Sequence, residues 1–125
     1  MEIPHDATLL RIFTSVNDRC GAEPLYAAIV RKARDMHLAG ATVLRGPLGY
    51  GRSGHLHHPH MFPLIQDTPV VVEIVESEER IEEFLPVLDE MMESGLVTLE
   101  KAKVLSYGRH HPGLLERFRQ HFIHH

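Results

Sequence analysis

Apolar residues along this chain gather into runs whose period alternates between that of a strand and that of a helix. Thr8 to Thr14 carries Leu9, Leu10, Ile12 and Phe13 and predicts a first strand. Val16 to Gly21 is polar and rich in turn residues. From about Glu23 to Leu38, the residues Leu25, Ile29, Ala33 and Met36 recur at helical spacing, and Arg31, Lys32, Arg34 and Asp35 make the wet face. Pro24 suits the first helical position and Gly40 the stop. Ala41 to Leu44 predicts a second strand, and Val70 to Val75, rich in β-branched residues, a third. Ser77 caps a second helix whose Glu78 and Glu79 sit at its positive end. Its buried stripe is Ile81, Phe84, Leu85, Leu88 and Met92, and Gly95 ends it. Pro86 inside it removes one hydrogen bond and predicts a kink costing about 3 kcal/mol. Lys101 to Tyr107 predicts a fourth strand, and Leu114, Leu115, Phe118 and Phe122 a short terminal helix.

The order β-α-β-β-α-β predicts an α+β, ferredoxin-like domain: an antiparallel sheet with both helices on one face. That domain spans residues 8–108, with a tail over 109–125. A sheet covered on one face should alternate apolar and polar residues. Leu9, Leu10, Ile12 and Phe13 break that rule, as do Val70, Val71, Val72, Ile74 and Val75. The second face is therefore expected to be covered, with the terminal helix as one candidate and another copy of the chain as the better one, because that helix is short.

Composition narrows the function classes. The chain of 125 residues is 43% hydrophobic and 24% charged, with a formal net charge of −4. That charge argues against a nucleic-acid binder. Cys20 is the only cysteine, so no internal disulfide forms. No run approaches the roughly 18 apolar residues of a membrane helix, and the acidic N-terminus lacks a signal pattern. The expectation is a cytoplasmic protein that is not membrane-inserted.

The chemistry concentrates after the second strand. Leu44 to His55 holds glycines at 46, 49, 51 and 54, with Arg45 and Arg52 among them. Backbone N–H groups beside guanidinium groups suit a phosphate. Gly49-Tyr50-Gly51-Arg52-Ser53-Gly54 matches G-x-G-x-x-G, but His55-Leu56-His57-His58-Pro59-His60 follows where a dinucleotide fold needs a helix. A P-loop fails because no Gly-Lys-Ser/Thr closes the motif. The loop from Leu48 to Thr68 has the length of a functional element. His55, His57, His58 and His60 form a candidate ligand set for zinc, copper or nickel. No cysteine pair or HExxH motif accompanies them. His110, His111, His121, His124 and His125 read as solvated tail residues. Glu76, Glu78, Glu79, Glu82, Glu83, Asp89, Glu90 and Glu93 read as the solvated outer face of the second helix. Cys20 has no base nearby in sequence, and no nucleophile and base fall in a recognisable pattern. The expectation is that the protein is not an enzyme.

Several segments carry a family resemblance. They are Arg11-Ile12-Phe13, Leu25 to Val30, Leu38 to Gly46, Pro69 to Val75, Phe84 to Met91 and Gly95 to Lys101. Together they resemble the domain of unknown function 190 family, which is regarded as PII-like. The resemblance implies a homotrimer that binds an adenine nucleotide (ATP, ADP or AMP) in clefts between subunits. It also implies a long loop between strands 2 and 3 that docks on a membrane transporter or channel, or on an enzyme. Gly49-Tyr50-Gly51-Arg52 resembles the Gly-Phe-Gly-Arg at the base of the PII loop. The nucleotide-binding set so implied is Arg45, Gly49, Tyr50, Gly51, Arg52, Ser53 and Lys101. PII proteins carry glutamine where this chain has Ser53, and only Gly95 and Lys101 echo their second nucleotide loop. The alternative is a metal-binding trimer of the copper-tolerance CutA type, using His55, His57, His58 and His60.

Overall fold

The computed structural model of the protein describes residues 6–46, 68–108 and 113–123. Strand β1 is Asp6–Ser15, and the two-residue strands β2 (Arg19–Cys20) and β3 (Glu23–Pro24) form a small hairpin beyond it. Helix α1 is Leu25–Asp35, β4 is Thr42–Arg45 and β5 is Pro69–Glu76. Helix α2 is Glu78–Met91, β6 is Leu96–Lys103 and α3 is Leu114–Ile123. The main sheet runs β4-β5-β1-β6, antiparallel throughout, which is the ferredoxin-like order.

One sheet face carries the core. Leu10 and Ile12 of β1 and Val70, Val72 and Ile74 of β5 are almost fully buried. They pack against Leu25, Ile29 and Ala33 of α1 and Ile81, Phe84 and Leu88 of α2. Both helical stripes thus fall where the sequence spacing puts them. Removing the fully buried Phe84 side chain would cost about 3–5 kcal/mol by lost burial and cavity formation. Ser77 accepts a hydrogen bond from the Arg80 N–H and caps α2, with Glu78 and Glu79 in the first turn.

Several boundaries differ from expectation, each for a local reason. Pro24 is the N-cap of α1, because Glu23 and Pro24 are drawn into the β2–β3 hairpin. Helix α1 stops before Gly40: His37 takes the left-handed conformation (φ 61) usually left to glycine. The Arg80 guanidinium donates to the Met36 and His37 carbonyls at 2.6 and 3.0 Å, satisfying oxygens the helix leaves open. Helix α2 runs through Pro86 and ends at Met91, and Gly95 then makes the turn into β6. The fourth strand begins at Leu96, five positions earlier than Lys101, because Leu96–Lys103 pairs along β1 in continuous register. Tyr107 lies beyond the strand and its hydroxyl donates to the Ala39 carbonyl. Glu76 is at the end of β5 and is 1% exposed, so it is no part of the wet face of α2.

The opposite sheet face is mixed. Leu9 and Phe13 pair with Val75 and Val71, all half-buried, and Arg11 lies between them opposite Glu73. Leu44 and Leu96 extend the face at its edges, at 48% and 56% exposure. The doubly apolar pattern therefore corresponds to two real faces, the second broken by one ion cluster.

Candidate functional site

Two residues of the expected nucleotide set lie among the described residues. Arg45 closes β4 at the point where the chain enters the glycine-arginine stretch. Its guanidinium carbon is 5.9 Å from the centroid of the Tyr26 ring on α1, and its Nη2 is 3.5 Å from the Tyr26 hydroxyl. That is a cation–π geometry, which favours one orientation of a long side chain. Gly46 follows, its N–H donating to the Pro69 carbonyl at 2.8 Å. A Cβ there would come within 2.9 Å of the Pro69 ring, so this glycine serves close packing against β5. The remaining residues of the set, Gly49, Tyr50, Gly51, Arg52 and Ser53, lie outside the described residues, as do His55, His57, His58 and His60.

Lys101 sits on β6, at the opposite edge of the sheet. It lines a pocket of about 400 Å³ with Thr8, Glu78, Ile81, Glu82 and Leu85. Its ladder partner is Thr8, whereas Arg45 reaches the level of Thr14 through Val70. Strand spacing and rise then separate Arg45 from Lys101 by about 14 Å across the sheet and about 20 Å along it. One chain does not bring them to one ligand.

Beyond the expected set, the outer sheet face centres on Arg11. Its Nε meets Glu73 at 2.8 Å and its Nη1 meets Glu100 at 3.0 Å. The hydrogen bond that Arg11 donates to the Glu73 carboxylate raises the guanidinium pKa above its ordinary value, so the group is charged at any working pH. No signal in the sequence links residues this far apart; only the register of β1 with β5 and β6 does. Glu76 was likewise not legible. Its carboxylate accepts from the Ala39 and Ser77 N–H groups, both at 2.8 Å, and so ties the α1–β4 connection to the start of α2. Among the described residues no group of three or more His, Cys, Asp or Glu side chains is placed to hold a metal ion, and no helix is long and apolar enough to cross a membrane.

This sheet order, with two helices on one face, is the ferredoxin-like fold that PII-like proteins share. The chain is similar in structure to CPII, a nitrogen regulatory PII-like protein from Thiomonas intermedia K12 solved bound to ADP, AMP and bicarbonate. The TM-score is 0.54 at 17% identity, over 79% of this chain and 88% of that one. CutA from Synechococcus elongatus PCC7942 is similar at TM-score 0.52 and 11% identity, over 82% of this chain and 80% of that one. Residues 7–104 match the family model of domain of unknown function 190, described as "Uncharacterized ACR", and the chain belongs to that family. A UPF0166 protein of Aquifex aeolicus (strain VF5) is 39% identical over 97 residues, 78% of this chain and 91% of that protein.

Proposed function

We propose that the protein is a non-catalytic, PII-like regulator in which an adenine nucleotide binds in the cleft between two subunits of a homotrimer. The observation that carries this reading is the placement of Arg45 and Lys101 at opposite edges of one sheet. A ring of copies brings the β4 edge of one subunit towards the β6 edge of the next, so each cleft draws Arg45 from one side and Lys101 from the other. Arg45 is already oriented by Tyr26. Arg52 and the N–H groups of Gly49 and Gly51 then meet the phosphates, where a planar guanidinium forms paired, charge-assisted hydrogen bonds. The fold likeness to a protein solved with ADP and AMP supports the ligand class.

The outer sheet face supports the assembly. Leu9, Phe13, Val71 and Val75 leave it too apolar for a solvated sheet surface, and copies packed on it would remove that area from water. Nucleotide would act by preferring one conformation of the loop after Arg45, which contacts a partner protein such as a transporter, channel or enzyme. Calorimetric titration of ATP, ADP and AMP into the purified chain tests the reading. Binding of at least one of them below millimolar, weakened by salt, supports it; no binding by any of them refutes it.

A further inference from the structure

The chain folds its own C-terminal segment over the sheet face that the proposed assembly needs. Beyond the end of β6 at Lys103, the Tyr107 hydroxyl donates to the Ala39 carbonyl. Ala39 leads into β4, and β4 and β6 are opposite edges of the sheet. Residues 104–107 therefore carry the chain across the sheet from one edge to the other. Helix α3 returns to this strap: Arg117 donates to the Leu105 carbonyl at 2.7 Å. Leu114 lines a cleft of about 810 Å³ together with Leu9, Glu73 and Val75 of the outer sheet face. The family match ends at residue 104, so the strap and α3 lie beyond it.

The hold is loose. Leu114 is still 41% exposed and Leu115 60%, although both are apolar. The cleft beneath Leu114 is open space, and side chains facing such space forgo contacts that a packed core would make. An element with little buried apolar area opens at low cost.

Leu9 and Val75 thus have two claimants. In the assembly a neighbouring copy packs on them; within one chain Leu114 stands over them. Close packing does not let both hold the same surface at once. We propose that the C-terminal segment is a displaceable cover, closed over Leu9 and Val75 in the single chain and lifted to admit the neighbouring copy. The inference rests on the reading of the outer face as a subunit contact. A neighbour binds only the open chain, so the cover lowers the apparent affinity by the open fraction and sets the concentration at which subunits assemble. Leu44, Val71, Phe13 and Leu96 form a row across all four strands at the other end of the face, beyond the cleft. They give the neighbour a first foothold whether the cover is closed or open.

A reversible bridge tests it with the full chain in a Cys20→Ser background. Ala41→Cys and Leu114→Cys, at two positions lining the cleft, are joined at high dilution by a short bismaleimide with a reducible centre. The bridge pins the cover shut. A second variant, Tyr107→Phe with Leu114→Ser, loosens it. Light scattering over a dilution series gives the concentration at which half the chains are assembled. The bridged chain should need at least about tenfold more protein than the parent, and reducing the bridge should undo that shift. The loosened variant should need about three- to tenfold less. Three results would overturn the proposal. One is a bridged chain that assembles at the parent's concentration. Another is a loosened variant that needs as much protein as the parent or more, which would make α3 part of the subunit contact. The third is a link that closes only between chains. A parent and a loosened variant that both stay single at every concentration would refute the assembly itself, whereas an assembled parent indifferent to the bridge refutes the cover alone.

Discussion

The Arg45 guanidinium stacks over the Tyr26 ring, 5.9 Å from its centroid, and so joins the end of β4 to the first turn of α1. The pairing holds a cation at the entrance to the glycine-arginine stretch. An exposed cation–π contact of this kind supports about a two- to fivefold preference for the stacked orientation. Tyr26→Ala should therefore weaken nucleotide binding by about two- to fivefold. Tyr26→Phe should bind almost as the parent does, since it keeps the ring and loses only a 3.5 Å hydroxyl contact. Equal affinity for Tyr26→Ala and the parent, measured by calorimetry, would show that stacking does not orient Arg45.

Arg11 stands between Glu73 and Glu100 at the centre of the outer sheet face. On a solvated face, ion pairs contribute little. Under a neighbouring subunit, losing the cation strands two carboxylates away from water, which is strongly unfavourable. Arg11→Ala should thus shift the proposed trimer towards single chains in light scattering at micromolar concentration. The far-ultraviolet circular dichroism should be unchanged. A trimer as stable as the parent's would place the subunit contact on another surface.

Gly95 has φ 138, and a Cβ on it would come within 2.8 Å of the Phe13 carbonyl oxygen. Both the dihedral and the space demand glycine, and the obstruction is backbone that cannot swing aside. Gly95→Ala should lower stability by about 1–3 kcal/mol in chemical denaturation. Gly40, with no atom within 4 Å of a built Cβ and no positive φ, is the control and should tolerate alanine.

The histidine loop gives a separate expectation. Replacing His55, His57, His58 and His60 with alanine should leave the melting temperature within about 3 °C in metal-free buffer, because the core among the described residues is built from the helices and the sheet. Collapse of the assembly on that replacement, or on adding a chelator to the parent, would instead make the metal structural.

The fold was legible where burial and period coincide. Leu25, Ile29 and Ala33, and Ile81, Phe84 and Leu88, mark helix faces because helical spacing and core contact select the same positions. Ser77 was legible because capping is a local hydrogen bond. The limits of α1 and β6 were not. His37 does a glycine's work because Arg80, more than forty residues away, caps the carbonyls beside it. β6 opens on the apolar run Leu96, Val97 and Leu99, and what a hydrophobic pattern does not give is its continuity through the charged Glu100 and Lys101, which an edge strand tolerates. The site divides in the same way. The place of Arg45 at the end of the second strand, beside a glycine run, was legible, and its contact with nucleotide is a proposal. Its stacking on Tyr26 and its distance from Lys101 follow from strand order, which no local pattern encodes.

Subunit mixing decides whether Arg45 and Lys101 share a cleft between two chains. Arg45→Ala and Lys101→Ala chains should each lose most nucleotide affinity, on the order of 10- to 100-fold for a lost charge-assisted contact. Unfolded together in equal amounts and refolded, they should form mixed trimers. About a quarter of the clefts would then pair an intact Arg45 with an intact Lys101 from the neighbouring chain. Calorimetry of that mixture should recover parent-like affinity at about a quarter of the parent stoichiometry. No recovery, from mixed trimers verified by native mass spectrometry, would mean that the two residues do not meet across a subunit boundary.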